Sequence, residues 1–421
     1  MIHVHRYLLT AVAAVAALAV LVPAAGAGTT FPPAPAVVSP VALTPAQTTA
    51  QALTPALTPA PTPAPVSDQV LNLKDALTLA EKHSLQLQVA ALQVPKARIA
   101  LDRWKAAGAT GGSALALGLQ MRYGVSLPSD DTTAAALRRS YENTLEQAAL
   151  GLEVARQSLR LAVTKAYVEW QKADALVAAQ QAALTRAQAQ AELAGKALAA
   201  GTAAHYDVVQ AGAQVSAQKA AVAAAQAGRD TARLTLERLA GSPLNPGLRP
   251  EPPDPEPSST LDPATPEAPA PDPAEDLIEK ALKQRPDVAA GKLTVQAREA
   301  DLDMLGQYFP ADDPIVAGAR LAIQEAALNL EATQADIRLQ VQQSLLVIAS
   351  ARERLAALAD GEAQSREALR LAQLRFEAGT ATSVEVVGAD AAVSGATAAH
   401  IQALADLAAA RATLQQAIGD L

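Results

Sequence analysis

LAGKALAAGTAAHYDVVQAGAQVSAQKAA (residues 193–221) and LAQLRFEAGTATSVEVVGADAAVSGATAA (residues 371–399) are two copies of one segment. They align without gaps at an offset of 178, and the register holds to Gly241/Gly419, with 18 identities in the 41 positions from Gly201/Gly379 onward. Shared alanine inflates that figure, but the Gly-Thr-Ala and Val-Val matches do not depend on it. A repeat this long marks a duplicated architecture. The glycine predicts its local geometry. Gly201 and Gly379 stand where a left-handed residue ends a helix, and Thr202 and Thr380 are read as N-caps of the next.

The duplication extends upstream. EQAALGLEVARQSLRL (146–161) lies over QEAALNLEATQADIRL (324–339) at the same offset. Leu145, Leu152 and Leu159 recur as Ile323, Leu330 and Ile337, seven apart as in a helix–helix seam. AEKHSLQLQVAA (80–91) matches ALKQRPDVAAGK (281–292) at an offset of 201, so the first copy carries about 23 residues that the second lacks. Each half reads as a leading helix (72–107; 275–307), an interruption, a long helix (134–199; 319–377), a tight turn and a final helix (203–239; 382–417). The long helices come to about 90–100 Å. Helices of that length need neighbours along their whole course.

The extra residues of the first copy are unlike the rest. SALALGLQMRYGVSLP (113–128) alternates, with Leu115, Leu117, Leu119, Met121, Tyr123, Val125 and Leu127 apolar and the positions between small or polar. That period of two predicts a strand over 113–127 with one apolar face. About 9–11 such residues cross a bilayer as a tilted strand. The counterpart in the second copy is little more than YFPADDPIVAG (308–318).

MIHVHRYLL, the apolar run from Leu8 to Val22 and Ala25-Gly26-Ala27 read as a secretory signal peptide over 1–27. Ten of the 28 prolines fall in 31–67 and twelve in 242–274. Proline breaks helices, so 28–67 and the acidic 242–274 read as extended linkers around repeats at 68–241 and 275–421.

Composition narrows function. Hydrophobic residues make up 50% of the chain and aromatics only 3%, so the core is alanine and leucine between close helices. A net charge of −8 argues against nucleic acid. There is no cysteine, and the five histidines show no metal-ligand spacing. GATGGS (108–113) lacks a Walker lysine, and Gly195-Lys196 lies within a helix. No catalytic constellation stands out, so neither an enzyme, a cofactor nor a metal is expected.

Several motifs together resemble the TolC family of outer-membrane efflux proteins. They are Gln284-Arg285-Pro286-Asp287 after a short leading helix, Arg375-Phe376-Glu377-Ala378-Gly379-Thr380 with Glu385-Val386 beyond it, and a terminal Leu414-Gln415-Gln416-Ala417-Ile418-Gly419-Asp420-Leu421. The resemblance implies a mainly α fold of duplicated long-helix hairpins. Three copies would form a trimeric α-barrel with a small β-barrel in outer-membrane lipid. It also implies a periplasmic adaptor, an inner-membrane pump and passive exit of substrates, in tripartite efflux or type I secretion. Gly201, Thr202, Gly379 and Thr380 correspond to the periplasmic tip that meets the adaptor. Glu385, Phe376 and Asp207 are candidates for the pore constriction, and three copies of Glu385 would place a negative ring there. An acid near a helix N-terminus is equally explained by the helix dipole.

The sequence departs from the family's pattern in its strands. Two per repeat are expected, and only one is visible in the first repeat. Three copies then supply about three strands, whereas closed barrels need at least about eight. Either residues 106–114 or 308–318 hold further strand, or the chain is a periplasmic structural or tethering protein derived from the same fold.

Overall fold

Asp131–Ala199 is one continuous helix of 69 residues, and Pro314–Glu377 is another of 64. Each is about 100 Å long. The chain is described by a computed structural model over residues 70–107, 131–201, 204–244, 247–252 and 273–420. These residues all belong to one unit, Pro63–Leu421. The other unit, Met1–Thr62, lies outside the described residues and holds the expected signal peptide. Strand 113–127, most of both linkers and Thr202 also lie outside them.

The first half contains β1 (Val70–Leu71), α1 (Leu73–His83), α2 (Leu85–Ala91), α3 (Gln93–Ala107), α4 (Asp131–Ala199) and α5 (His205–Ala240). After β2 (Arg249–Pro250), the second half contains α6 (Pro273–Gln284), α7 (Pro286–Tyr308), α8 (Pro314–Glu377) and α9 (Ser383–Ile418). In each half the long helix and the final helix pack as a hairpin along their length. The first hairpin then packs on the second through α4, which meets both α7 and α9. We call the whole boundary between the two halves, these contacts included, the internal seam.

Local chemistry sets the boundaries. Asn72 caps α1 by accepting from the Asp75 N–H at 2.7 Å. Asp313 caps α8 by accepting from the Ile315 N–H at 2.8 Å, and Pro314 takes the first helical position, where no donor is needed. Phe309 to Asp313 is therefore a five-residue turn between α7 and α8, with the Asp313 N–H bonded to the Pro310 carbonyl at 3.0 Å. The expectation that 308–318 holds a hidden strand is corrected here. Pro310 and the Asp313-Pro314 cap turn the chain directly from one helix into the next. The equivalent interval between α3 and α4 is 23 residues long, and it lies outside the described residues.

The repeat holds in three dimensions. Leu159, Val163, Ala232 and Leu236 are buried in the core of the first half, and their counterparts Ile337, Val341, Ala410 and Leu414 are buried in the core of the second. The leading helices follow the other offset, with Ala80 and Leu87 matched by Ala281 and Val288. Gly241 sits against His83 and Ser84, while Gly419 sits against Gln284 and Arg285, the same residues displaced by 201.

Candidate functional site

The two hairpin turns carry the residues of interest. Gly201 has φ +74° and Gly379 has φ +72°, a region that favours glycine. At the second turn the Gly379 N–H bonds to the Phe376 carbonyl at 2.9 Å, and the Thr380 N–H to the Arg375 carbonyl at 2.8 Å. This is a Schellman closure, which satisfies the last carbonyls of α8. The first turn repeats its inner bond, from the Gly201 N–H to the Leu198 carbonyl at 2.9 Å.

The N-cap assignments are corrected. The Thr380 hydroxyl donates to the Arg375 carbonyl at 3.0 Å, so it serves the end of α8 and not the start of α9. The cap of α9 is Thr382, whose hydroxyl accepts from the Glu385 N–H while Glu385 accepts from the Thr382 N–H, both at 3.3 Å. The equivalent cap of α5 is Ala204, not Thr202. Alanine has no side-chain acceptor, so half of the box survives, with the Ala204 N–H donating to Asp207 at 3.1 Å. The Schellman closure returns two residues to the old helix, which delays the new one by that much.

Asp207 and Glu385 are therefore the third residues of their helices, where carboxylates suit the dipole. The second oxygen of Asp207 reaches across the internal seam and accepts from the Ser383 hydroxyl at 2.6 Å. The second oxygen of Glu385 lies 3.5 Å from the Arg375 guanidinium, both groups being well exposed. An exposed pair of that kind stabilises little. Phe376 packs with Leu369, Val386 and Val393 in a small apolar cluster that holds α8 against α9 near the tip.

Three polar features were not read from the sequence. Arg186 of α4 donates to Asp390 of α9 at 2.6 Å across the internal seam, and Asp390 is only 3% exposed. Within the second hairpin, buried Glu362 accepts from Thr397 at 2.6 Å and from Arg366 at 2.7 Å, with His400 Nδ1 at 2.7 Å. Burial pulls that carboxyl upward. The hydrogen bonds from Thr397 and His400 and the charge of Arg366 outweigh it, and Glu362 is held below the usual carboxylate range. Midway along α4, buried Tyr167 donates to the Leu71 carbonyl at 2.8 Å and accepts from the Glu251 N–H at 3.1 Å. Gln171 donates to the Glu251 carbonyl at 2.7 Å. The two side chains fasten the parallel pair β1 and β2 onto α4. Burial pushes the Tyr167 phenol up to about 12.

The partners in these contacts are up to 204 residues apart, so no local pattern announces them. The signal available was charge inside an alanine-rich stripe, at Arg186, Glu362 and Asp390. Among the described residues no cluster of histidine and carboxylate side chains could hold a metal, and no helix is long and apolar enough to cross a membrane.

Residues 102–242 and 316–420, more than half of the chain, match the family model described as outer membrane efflux protein. No curated protein matches the sequence. Among solved structures, the outer-membrane channel OprN superposes with a TM-score of 0.61 at 17% identity, covering 83% of this chain and 90% of that one. The outer membrane protein VceC from Vibrio cholerae gives 0.61 at 15% identity, covering 82% and 96%. The open state of the MtrE outer membrane channel of Neisseria gonorrhoeae gives 0.59 at 17% identity, covering 82% and 88%. At these identities the likeness is one of fold, and it joins the duplicated hairpins of this chain to the helical architecture of those channels.

Proposed function

The chain belongs to the outer membrane efflux protein family, a family of channels and not of enzymes, and from that premise we propose that it is the outer-membrane exit duct of a tripartite efflux or type I secretion system. Three copies form the duct. A periplasmic adaptor docks at the tip around Gly201, Thr202, Gly379 and Thr380, and an inner-membrane pump delivers the substrate. The apolar face of strand 113–127, from Leu115 to Leu127, meets lipid. Glu385 and Asp207 line the constriction, with Phe376 packed behind them.

The observation that carries the assembly is an unequal burial of equivalent residues. Val168 of α4 is 8% exposed, while its counterpart Leu346 of α8 is 71% exposed. Leu293 of α7 is buried, while its counterpart Leu92 is 55% exposed. In each pair the buried member lies on a helix of the internal seam. The exposed member lies where the same seam would form with another copy. Leu321, Leu328, Leu339 and Leu346 are all more than half exposed, and their spacings of seven, eleven and seven keep them within about 20° of one line on α8. An unpartnered apolar line on a helix about 100 Å long supports packing against a neighbouring copy.

A second reading has its own observation. The second repeat replaces the expected strands with a five-residue turn, so it supplies nothing to a barrel there. An open sheet in lipid leaves its edge groups unpaired. A periplasmic bracing or tethering protein on the same fold fits that turn. Alkaline-carbonate extraction of the cell envelope separates the two. Retention of the chain in the membrane pellet is expected for the duct. Release into the soluble fraction would remove the membrane barrel and leave the bracing role.

A further inference from the structure

We propose that His205 of one copy meets Glu385 of the next at the tip, closing the seam between copies with an imidazole–carboxylate contact. This rests on the assembly of several copies proposed above. It is drawn from the contact that closes the internal seam. There the first hairpin contributes Asp207 and the second contributes Ser383, with the hydroxyl 2.6 Å from the carboxylate. If a neighbouring copy packs on the second hairpin as the second packs on the first, each residue is replaced by its repeat equivalent. Asp207 becomes Glu385, and Ser383 becomes His205 of the neighbour.

Four observations support the substitution. The offset of 178 is unbroken across both turns, since Gly201 and Gly379 share a φ of +74° and +72°. Each acid is third in its helix and gives one oxygen to its own N-cap N–H, which leaves the other for an outside partner. Asp207 and Ser383, which are paired, are half-buried, while Glu385 and His205 are exposed. Val209, one turn beyond His205, is 57% exposed, although its counterpart Val387 is half-buried.

The exchange is also chemically complementary. A hydroxyl donor shorter than imidazole faces the shorter acid inside the copy. The longer imidazole donor would face the longer acid between copies. Arg375, already 3.5 Å from Glu385 in its own copy, would flank the contact from the other side. The rest of that seam is weaker. The Arg186–Asp390 pair of the internal seam has Gln364 and Gly212 as its equivalents, which cannot form an ion pair. His205–Glu385 would then be the polar contact nearest the tip on that seam.

The natural chain has no cysteine, so introduced thiols are unambiguous. His205→Cys with Glu385→Cys, treated in the envelope with a short bifunctional thiol reagent, should give covalent dimers and trimers on a denaturing gel. Neither single variant should. Asp207→Cys with Ser383→Cys should give only internally linked monomer. Gly212→Cys with Gln364→Cys probes the same seam away from the tip, and Gly212 has open space for a side chain. Linked oligomers from 212/364 without any from 205/385 would overturn the contact while leaving the assembly standing. No oligomers from either pair would overturn both. Charge provides the second arm. His205→Asp should lower the melting temperature of the assembly, while His205→Lys should hold it. Equal losses in the two variants would overturn the attraction.

Discussion

Val163 and Val341 occupy equivalent places in the two halves, and both are fully buried. Four residues further on the halves diverge, with Tyr167 in the first and Leu345 in the second. Tyr167 and Gln171 hold β1 and β2 against α4, whereas Leu345 and Ala349 have no polar group to offer. Nearer the tip the asymmetry reverses. The second half has Glu362, Thr397 and His400 hydrogen-bonded between its helices, where the first has Leu184, Lys219 and Val222. The apolar skeleton is duplicated, and these long-range side-chain hydrogen bonds are not. Burial of apolar area is non-directional, so one set of spacings packs twice. A buried polar group needs a particular partner, and each half uses its own.

The largest expected effect comes from making the halves alike at the internal seam. Arg186→Gln installs the residue that the second half carries at that position and strips Asp390 of its partner. Leaving a buried carboxylate uncompensated costs about 3–5 kcal/mol, and the lower end applies because Arg186 is 34% exposed. Thermal or denaturant unfolding should show the loss, and Asp390→Ala in the same chain should recover much of it. An unchanged midpoint in Arg186→Gln would mean that the seam does not depend on this pair.

The glycines that end the two final helices sharpen the comparison further. Gly241 and Gly419 both have positive φ, so alanine at either costs roughly 1–2 kcal/mol of strain. Their surroundings differ. A Cβ on Gly241 would lie 2.3 Å from the His83 carbonyl oxygen, while one on Gly419 would find nothing nearer than 3.5 Å. Gly241→Ala should therefore destabilise by about 2 kcal/mol or more, and Gly419→Ala by the strain alone. Equal losses would mean that the contact between α5 and the end of α1 gives way freely.

This division explains what could be read in advance. The helices, the hairpins and the glycine turns follow from spacings within a few residues, such as Leu152/Leu159 and Gly-Thr-Ala. The tip acids were visible because capping is local. The cap of α9 lies two residues beyond the expected Thr380, because the Schellman closure at Gly379 gives Thr380 to α8. Asp313-Pro314 carried the cue that 308–318 is a turn, since a cap followed by proline opens a helix. Ser383 on Asp207 and Arg186 on Asp390 join positions 176 and 204 residues apart, and only packing of the two hairpins brings them together.

The smallest effect concerns the strap at Tyr167, and its pH dependence separates it from packing. Tyr167→Phe keeps the ring against Trp170 and removes the hydroxyl from Leu71 and Glu251. The cost should be about 1 kcal/mol, because the Glu251 N–H and the Leu71 carbonyl remain bonded to each other at 3.3 Å. Burial raises the phenol from 10.0 to about 12 in the folded chain. The folded state therefore retains its proton where the unfolded state releases it. The natural chain has the full contribution below pH 10 and loses it as pH rises from 10 toward 12. Phenylalanine has no proton to lose. The difference in stability between the natural chain and the variant should then shrink over that window and can change sign at its top. Helical ellipticity followed through thermal melts at pH 8 to 11 would test this. A constant gap would mean that Tyr167 acts through its ring and not through its hydroxyl.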